Sequence, residues 1–587
     1  MKILASIFAI AALTVGMNAC PVTQAITSQT LSGGTDVLGA DTFAAFSLPQ
    51  TTAVKLETVA VTGQKFTQAW RASSLQHVTN SWEVQTSATN MVALQKDDVL
   101  VVQFWARAIT GTAQTEFVLE LAAPPYDKSI TVGIHATASW TLFQLPFKAN
   151  RDYVIGEAAA HFRLGFDNQT LEFGGVVLKN FAKTKLLSDF KTLGFSYTGR
   201  EANATWRIAA NARIEQIRKS DFKVKIVDAN NQPVSGATVH LEMKKHAFKF
   251  GTAVSAQVLK DNPTYKAKIL ELYNHAVLGN DLKWPDWESY SKQNALDALT
   301  FFKANGITAR GHNLIWPCDT DYCLPTDVVA MFNDPAKLRS RIDAHFQDIL
   351  GATQGQLVEW DVVNEPSANK RIANILGEDE MAVWYKRVKQ LEPNATLFMN
   401  DYGNLGEGTL DVEFKRILTR MLELGAPVEG IGLQSHFGWE LPAPEDVYNR
   451  LNGFATFGKT MAITEFDVNI TDEQLQADYL RDFMTITFSH PGISSFLMWG
   501  FWESEHWLPN AALYRKDWSI KPNGQAWLDL VKKAWWTDIS ISSDLNGQVV
   551  TRGFLGDYVI TATLGSKTVS LPVTLEKTSG EFRLKLP

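Results

Sequence analysis

The chain has 587 residues, of which 45% are hydrophobic and 20% are charged. This composition is typical of a soluble globular protein with roughly two to four domains, and it excludes an intrinsically disordered chain. The formal net charge of −7 gives no basis for binding nucleic acid or an anionic membrane surface, so neither partner is expected.

The N-terminus has the layout of an export signal. A single lysine precedes an apolar run over residues 3–15, and small residues follow that run. Cys20 resembles the residue that is lipidated at a bacterial lipoprotein cleavage site, whereas cleavage near Ala25 would release a soluble protein. We therefore expect residues 1–25 to be a signal peptide and the protein to be periplasmic, secreted or held at the cell surface. Membrane contact is expected only through a lipid on Cys20.

The two remaining cysteines, Cys318 and Cys323, are close together in the sequence. In an exported protein this spacing favours a local disulfide. A metal site would need further ligands nearby, and the sequence offers none that is obvious. No metal is expected.

The region before residue 184 has two parts. Residues 26–53 are rich in Thr, Ser, Gly and Ala and are expected to form a linker, whereas residues 54–183 contain short alternating strands typical of a β-sandwich or jelly roll. Residues 166–180 resemble the closing strands of jelly-roll carbohydrate-binding modules attached to polysaccharide hydrolases. Four tryptophans could stack on sugar rings or belong to the core: Trp70, Trp82, Trp105 and Trp140.

Residues 248–534 alternate strand-like and helix-like segments. Eight strand–helix units in this length predict a (β/α)8 barrel, an α/β fold with its active site at the C-terminal ends of the strands. A helix and a β-hairpin over residues 184–247 are expected to lead into it, and a small β module over residues 535–587 to follow it. The strand candidates begin near Phe248, Ala276, Ala309, Leu357, Thr396, Val428, Met461 and Ser495.

Two of these strands end in a glutamate. Residues 358–366 and 462–468 are apolar runs typical of strands buried on both faces, and they carry Glu365 and Glu465. A lone glutamate at a strand end is usually a solvated rim residue or part of an ion pair. Two carboxylates facing one cleft are the minimum needed to cleave a glycosidic bond.

Both stretches resemble signatures of glycoside hydrolase family 10, the endo-β-1,4-xylanases. Residues 360–366 are similar to the acid/base motif of that family, and residues 464–468 to its nucleophile motif. Further motifs agree in their order along the chain, and the resemblance covers about residues 248–534. These motifs lie at 310–316, 400–402, 432–436 and 499–500, with Trp507 after the last.

The resemblance implies a retaining double displacement that uses no cofactor and acts on a polysaccharide. Glu465 would be the nucleophile, and Glu365 the general acid and then the general base. Asn364 would bind the 2-hydroxyl of the sugar, while His436 and Asp467 would orient Glu465.

The remaining implied residues surround the sugar. Gln434 would bond ring hydroxyls or the acid/base, and Asp401 is expected to be structural. The residues implied on the glycone side are Asn280, Lys283 and His312, and those implied as walls of the cleaved-sugar site are Trp316, Trp499 and Trp507. For these three tryptophans, packing in the core is the alternative.

Two positions depart from the family pattern. Gly279 stands where a sugar-binding glutamate is usual, and Pro317 stands where a histidine is common. We expect a xylanase, with a β-1,4-glycanase on glucan or decorated xylan as the alternative. A polysaccharide-binding protein without catalysis is the more distant alternative.

Overall fold

A computed structural model describes residues 31–587 apart from 48–50, 77, 79, 110–112, 167–168, 319–321 and 407–409. The expected signal peptide, with Cys20 and Ala25, lies outside the described residues. Among the helices that are described, none combines the length and the hydropathy needed to cross a bilayer.

The first module is a sandwich of two antiparallel sheets, as expected for a jelly roll. Alternate residues of the facing strands pack between the sheets in one hydrophobic core. One sheet contains β1 (Thr35–Asp36), β2 (Val54–Ala60), β3 (Gln68–Ser74), β5 (Val99–Ala108), β8 (Thr141–Lys148) and β10 (Thr170–Asn180). The other contains β4 (Ala88–Thr89), β6 (Ala113–Leu121), β7 (Lys128–Ala136) and β9 (Ala158–Arg163).

Part of the expected linker belongs to this sandwich. Strand β1 pairs with β10, and the short helix α1 (Thr42–Ala45) packs beside it. Val37, Leu38 and Phe46 are buried in the core of the module. The expectation of a linker over 26–53 is therefore wrong for residues 35–47, because a few apolar side chains among the small polar ones suffice to dock the segment.

The central domain is a closed barrel of eight parallel strands, which confirms the predicted fold. Each strand begins within two residues of its predicted start. The strands are β13 (Lys249–Val254), β14 (His275–Leu278), β15 (Thr308–Gly311), β16 (Glu359–Asn364), β17 (Thr396–Asp401), β18 (Gly430–Leu433), β20 (Thr460–Val468) and β21 (Ile493–Met498), with the short β19 (His436–Phe437) beside β20.

Helices surround the barrel and cover its strands from outside. The longest of them begins at an aspartate cap, Asp334, whose side chain accepts the N–H of Lys337, and it has a proline at its first position. The barrel helices are α3 (Ala256–Asp261), α4 (Pro263–Leu272), α5 (Trp284–Asp286), α6 (Lys292–Ala304), α7 (Thr326–Ala330), α8 (Pro335–Thr353), α9 (Ala373–Leu376), α10 (Glu380–Leu391), α11 (Leu410–Glu423), α12 (Pro444–Ala455), α13 (Glu473–Phe488) and α14 (Pro522–Asp529).

The segments before and after the barrel build one β unit together. The helix α2 (Thr205–Arg218) is present, but the two strands after it do not pair with each other, so the predicted hairpin is wrong. Each instead pairs with strands from the end of the chain, because their apolar faces need partners that a two-stranded ribbon cannot supply. One sheet contains β11 (Lys219–Val227), β23 (Gln548–Phe554) and β26 (Glu581–Lys585), and the other contains β12 (Thr238–His246), β22 (Asp538–Ser542), β24 (Gly556–Leu564) and β25 (Lys567–Leu575).

The jelly roll rests on the barrel at the loops that follow β18 and β20. The ring of Trp439 lies 4.9 Å from that of Phe195 and packs against the core of the jelly roll. The hydroxyl of Thr471 donates to the carbonyl of Pro146 at 3.4 Å. The jelly roll is thus positioned at the end of the barrel where parallel-barrel enzymes carry their active sites.

Candidate active site

A cleft of about 840 Å³ opens at the C-terminal ends of the barrel strands. Every residue predicted to act on or contact sugar lines this cleft except Asp467, which lies behind His436. The lining residues that the sequence predicts are Asn280, Lys283, His312, Trp316, Asn364, Glu365, Gln434, His436, Glu465, Trp499 and Trp507.

Glu465 lies in β20 and is 4% exposed. Its Oε1 accepts a hydrogen bond from the amide of Asn400 at 2.7 Å, and its Oε2 lies 3.3 Å from Nε2 of His436. Burial alone would raise the pKa of this carboxyl, but the nearby His312, His436 and Asn400 outweigh burial and lower the pKa. Glu465 is therefore held in its ionised form.

His436 connects Glu465 to a second carboxylate. Its Nδ1 lies 3.0 Å from Oδ2 of Asp467, and the indole of Trp507 donates to the same oxygen at 2.7 Å. Burial would lower the pKa of His436, but Asp467 and then Glu465 raise it to about 10. A protonated imidazole is therefore fixed between two carboxylates.

Glu365 follows β16 directly and has a different set of partners. Its Oε2 accepts hydrogen bonds from Trp316 at 2.8 Å and from Asn369 at 3.1 Å, and its Oε1 accepts one from Gln434 at 3.0 Å. Its backbone φ is +56°, a left-handed conformation that a non-glycine residue adopts at some cost in energy. The N–H of Glu365 donates to the carbonyl of Asn400 at 2.7 Å and so ties this bend to β17.

Amide side chains link the two glutamates. Asn400 donates both to Glu465 and, at 2.9 Å, to Oδ1 of Asn364. Gln434 donates to Glu365 and, at 3.3 Å, to the same Oδ1. One continuous chain of hydrogen bonds therefore runs from Glu465 to Glu365, so the position of each carboxylate depends on the other.

Asn400 was missing from the residues that the sequence predicted for the site. It belongs to the motif at 400–402, which the sequence analysis did identify. Within that motif, only the neighbouring Asp401 was considered, and it was expected to be structural. Asp401 is buried, and burial raises its pKa to about 7, although its carboxylate accepts the N–H of Ser367 at 3.0 Å. It holds a turn behind Glu365, as expected of a structural residue.

A buried charged network lies under the cleft. Arg310 bonds Glu359 at 3.0 Å and also bonds Asp361, and Asp361 lies 2.9 Å from Nδ1 of His312. All four side chains are almost completely buried. Such a network fixes the ring of His312, whose Nδ1 lies 4.0 Å from Oε1 of Glu465.

The side of the cleft next to β14 differs from the family pattern. Lys283 donates to Asn280 at 2.9 Å and lies over the ring of Trp316, but no carboxylate of the described residues lies within ion-pair distance of its ammonium. Burial lowers the pKa of Lys283 despite the attraction of Glu465. A Cβ atom added at Gly279 would meet only Ala253, at 3.6 Å, so the glycine is not required by close packing and leaves open space.

Cys318 and Cys323 are joined by a disulfide, with their Cα atoms 5.9 Å apart. The bridge lies in the loop after Trp316. Within the part of the chain that is described, no group of three His, Cys, Asp or Glu residues has the arrangement of a metal site.

Comparison with known proteins agrees with this geometry. The sequence model of glycosyl hydrolase family 10 matches residues 239–529. The anti-sigma-I factor RsgI6 of Acetivibrio thermocellus is 30% identical over 64% of this chain and 49% of its own length. Endo-1,4-beta-xylanase 1 of Arabidopsis thaliana is 29% identical over 59% of this chain and 36% of its own. Endo-1,4-beta-xylanase B of Paenibacillus barcinonensis is 26% identical over 48% of this chain and 94% of its own.

Among solved structures, xylanase 10B from Thermotoga petrophila in complex with xylobiose aligns with 22% identity and a TM-score of 0.45, over 49% of this chain and 95% of that one. The chain spans about half or less of the length of the first curated relatives it matches. The barrel, with one carboxylate directly after its fourth strand and another within its seventh, is the framework of a glycoside hydrolase. Residues 239–529 are a glycosyl hydrolase family 10 domain.

Proposed function

We propose that the protein is a retaining endo-β-1,4-xylanase. The observation that carries the proposal is the pairing of Glu465, whose pKa is lowered, with Glu365 in one cleft through shared amide hydrogen bonds. The relatives named as endo-1,4-beta-xylanases support xylan as the substrate.

In the first step, the ionised Glu465 attacks the anomeric carbon of the sugar in the cleft. Glu365 gives its proton to the glycosidic oxygen, so the leaving chain departs as a neutral alcohol and a covalent glycosyl-enzyme forms. In the second step, Glu365 takes a proton from water, and that water displaces Glu465 from the same carbon. Two displacements restore the original anomeric configuration.

The surroundings of the carboxylates fit these roles. Asn400, His436 and His312 stabilise the negative charge of Glu465 before attack. Once Glu465 is esterified, its negative charge disappears. Glu365 has given up its proton in the first step and is then the carboxylate that can take a proton from water.

The shape of the cleft supports cleavage within a chain. Its lining continues on both sides of the two glutamates, to Gln257 and Tyr290 on one side and to Tyr402 and Gly403 on the other. A polysaccharide can therefore occupy sugar-binding positions before and after the cleaved bond, as an endo-acting enzyme requires.

The test is the release of reducing ends from glucuronoxylan, arabinoxylan, mixed-linkage glucan and carboxymethyl-cellulose. The proposal expects activity on a xylan that Glu465→Gln abolishes. Activity on glucan alone would mean that the protein is the second candidate, a glucanase with the same mechanism. The open space at Gly279 favours this candidate. If the folded protein binds xylan without hydrolysing it, the proposed function becomes polysaccharide binding. This outcome is considered because a relative with 30% identity is named an anti-sigma factor.

The jelly-roll module is proposed to bind polysaccharide as well. Of the four tryptophans considered, Trp70 is 3% exposed and stacks on Phe43, whereas Trp82 is 54% exposed and lies over Arg163. Trp105 and Trp140 are partly buried, so Trp82 is the most exposed of the four and the one we propose to stack on a sugar. We also propose that the protein is exported, with or without a lipid on Cys20, because residues 1–25 have the layout of a signal peptide.

A further inference from the structure

A groove of about 1160 Å³ lies between the jelly-roll module and the barrel. One wall comes from residues 183–192, which follow β10, together with Lys148 at the end of β8. The other wall comes from residues 470–473 after β20 and from residues 503–521 in the loop after β21. Neither module alone encloses this space.

Four lysines line the groove without being neutralised by the protein. They are Lys148, Lys183, Lys185 and Lys191. In the described part of the chain, none of their ammonium groups has a hydrogen bond or an ion pair, and all four are exposed. This differs from the outer surface of the barrel, where residues such as Arg341, Arg416 and Arg420 are held by carboxylates.

Most of the carboxylates in the groove are already engaged. Asp472 caps the first turn of α13, and Glu473 pairs with Arg515 at 2.8 Å. Glu503 accepts a backbone N–H at 3.1 Å. Only Asp97 remains, within the described residues, as a groove carboxylate without a partner. Six cationic side chains and four carboxylates therefore line the groove, and its net charge is positive.

The barrel wall adds polar groups that are only partly satisfied. Arg515 uses Nη2 for Glu473, while its Nη1 is buried and has no hydrogen-bond partner among the described residues. A buried guanidinium nitrogen without a partner is costly, so the hydrogen-bonding capacity of Arg515 is only partly used. Lys521 is 3% exposed and donates to the carbonyl of Asn510, so it adds a fixed positive charge to the same wall.

The groove adjoins the catalytic cleft through two loops. Residues 470–473 begin just after β20, the strand that carries Glu465 and Asp467. Glu503 and Asn510 flank Trp507, which lines the cleft and bonds Asp467. The loop after β21 thus contributes residues to both the groove and the cleft.

We propose that this groove between the modules is a second binding site, which holds the carboxylate groups of a uronate-bearing glycan. The four unpaired lysines supply the charge, and the adjoining cleft supplies the chain to which the uronates are attached. The choice of a glycan as the anion rests on the proposed function. The binding of carboxylates rests on the groove alone.

The test uses the full chain with Glu465→Gln, so that the polysaccharide stays intact. Migration is measured in native gels that contain glucuronoxylan, the same xylan after chemical reduction of its carboxyl groups, or poly-glutamate. The test variant carries Lys183→Gln, Lys185→Gln and Lys191→Gln. The matched control carries Lys303→Gln, Lys567→Gln and Lys585→Gln, three exposed lysines outside the groove that have no ion pair with any described residue.

We expect the test variant to bind glucuronoxylan about five- to tenfold more weakly than the control, since each exposed pairing contributes modestly. Added salt should weaken binding by the control and remove the difference between the two variants.

Equal retardation of both variants would overturn the proposal, as would an unchanged difference between them on the carboxyl-reduced xylan. Binding of poly-glutamate as tight as that of glucuronoxylan would exclude a glycan as the specific occupant. Because retardation is measured without turnover, a failure of the proposed xylanase activity would be seen separately.

Discussion

The side-chain amide of Asn400 donates a 2.7 Å hydrogen bond to the carboxylate of Glu465. Asn400 is the last residue but one of the fifth barrel strand and Glu465 lies in the seventh, so closure of the barrel brings them together. Thr464 donates to the oxygen of the same amide at 2.7 Å, which fixes the amide with its NH₂ group toward Glu465.

Asn400→Ala should lower kcat/KM on xylan by about 10- to 100-fold, the factor that corresponds to losing one hydrogen bond to a charged group, about 1.5–3 kcal/mol. The lost donor stabilised the ionised form, so the pKa of Glu465 should rise and the acidic limb of the pH–rate profile should move to higher pH. Asn449→Ala on the outside of α12 is the matched control. An acidic limb that stays in place would show that the amide does not act on the nucleophile.

Glu365→Ala should reduce turnover of xylan by about 10²–10⁴-fold, the usual contribution of a general acid. A substrate with an activated aryl leaving group needs no proton, so its first step should be nearly unaffected. Added azide should then restore the second step and yield a β-glycosyl azide, since a small anion replaces the water that Glu365 would activate. Pre-steady-state release of the aryl group measures the first step. Equal losses on both substrates would argue against the assigned role.

His436→Gln should destabilise the folded protein in a pH-dependent way. Because the pKa of His436 is raised from 6.5 to about 10, its contribution to stability is fully present below about pH 6.5 and is lost as the pH rises through about 10. Unfolding of the wild type and the variant by urea should therefore differ most near neutral and acidic pH, and the difference should shrink toward pH 10. A constant difference across this range would mean that the imidazole is neutral in the folded state.

Gly279→Glu should restore a carboxylate beside Lys283. The added Cβ has room, since its nearest neighbour would be Ala253 at 3.6 Å. We expect KM for unsubstituted xylo-oligosaccharides to fall by roughly tenfold, the effect of one charge-assisted hydrogen bond. Gly279→Gln has the same size without the charge, and it should give a smaller gain. If both variants lose activity on a decorated xylan while gaining on the linear one, the space at Gly279 serves a side group of the substrate.

The barrel was predictable because most of its strands are short apolar runs and because the stretches that carry Glu365 and Glu465 are recognisable motifs. The alternation of apolar and polar residues in β11 and β12 also predicted two strands. Such alternation does not show which strand each one pairs with. Their partners lie some three hundred residues later in β22–β26, so the sequence suggested a local hairpin instead. The role of Asn400 was out of reach for a similar reason, since its contact with Glu465 exists only in the closed barrel.

The most direct test of the central claim is to trap the covalent intermediate. A xylobioside with fluorine at C2 and an activated leaving group should form the glycosyl-enzyme and hydrolyse it slowly, because fluorine destabilises both transition states. The account predicts that mass spectrometry finds one added disaccharide, on the peptide that contains Glu465, and that Glu465→Gln acquires none. A label on any other residue, or xylan hydrolysis without a trapped adduct and with inversion at the anomeric carbon, would contradict it.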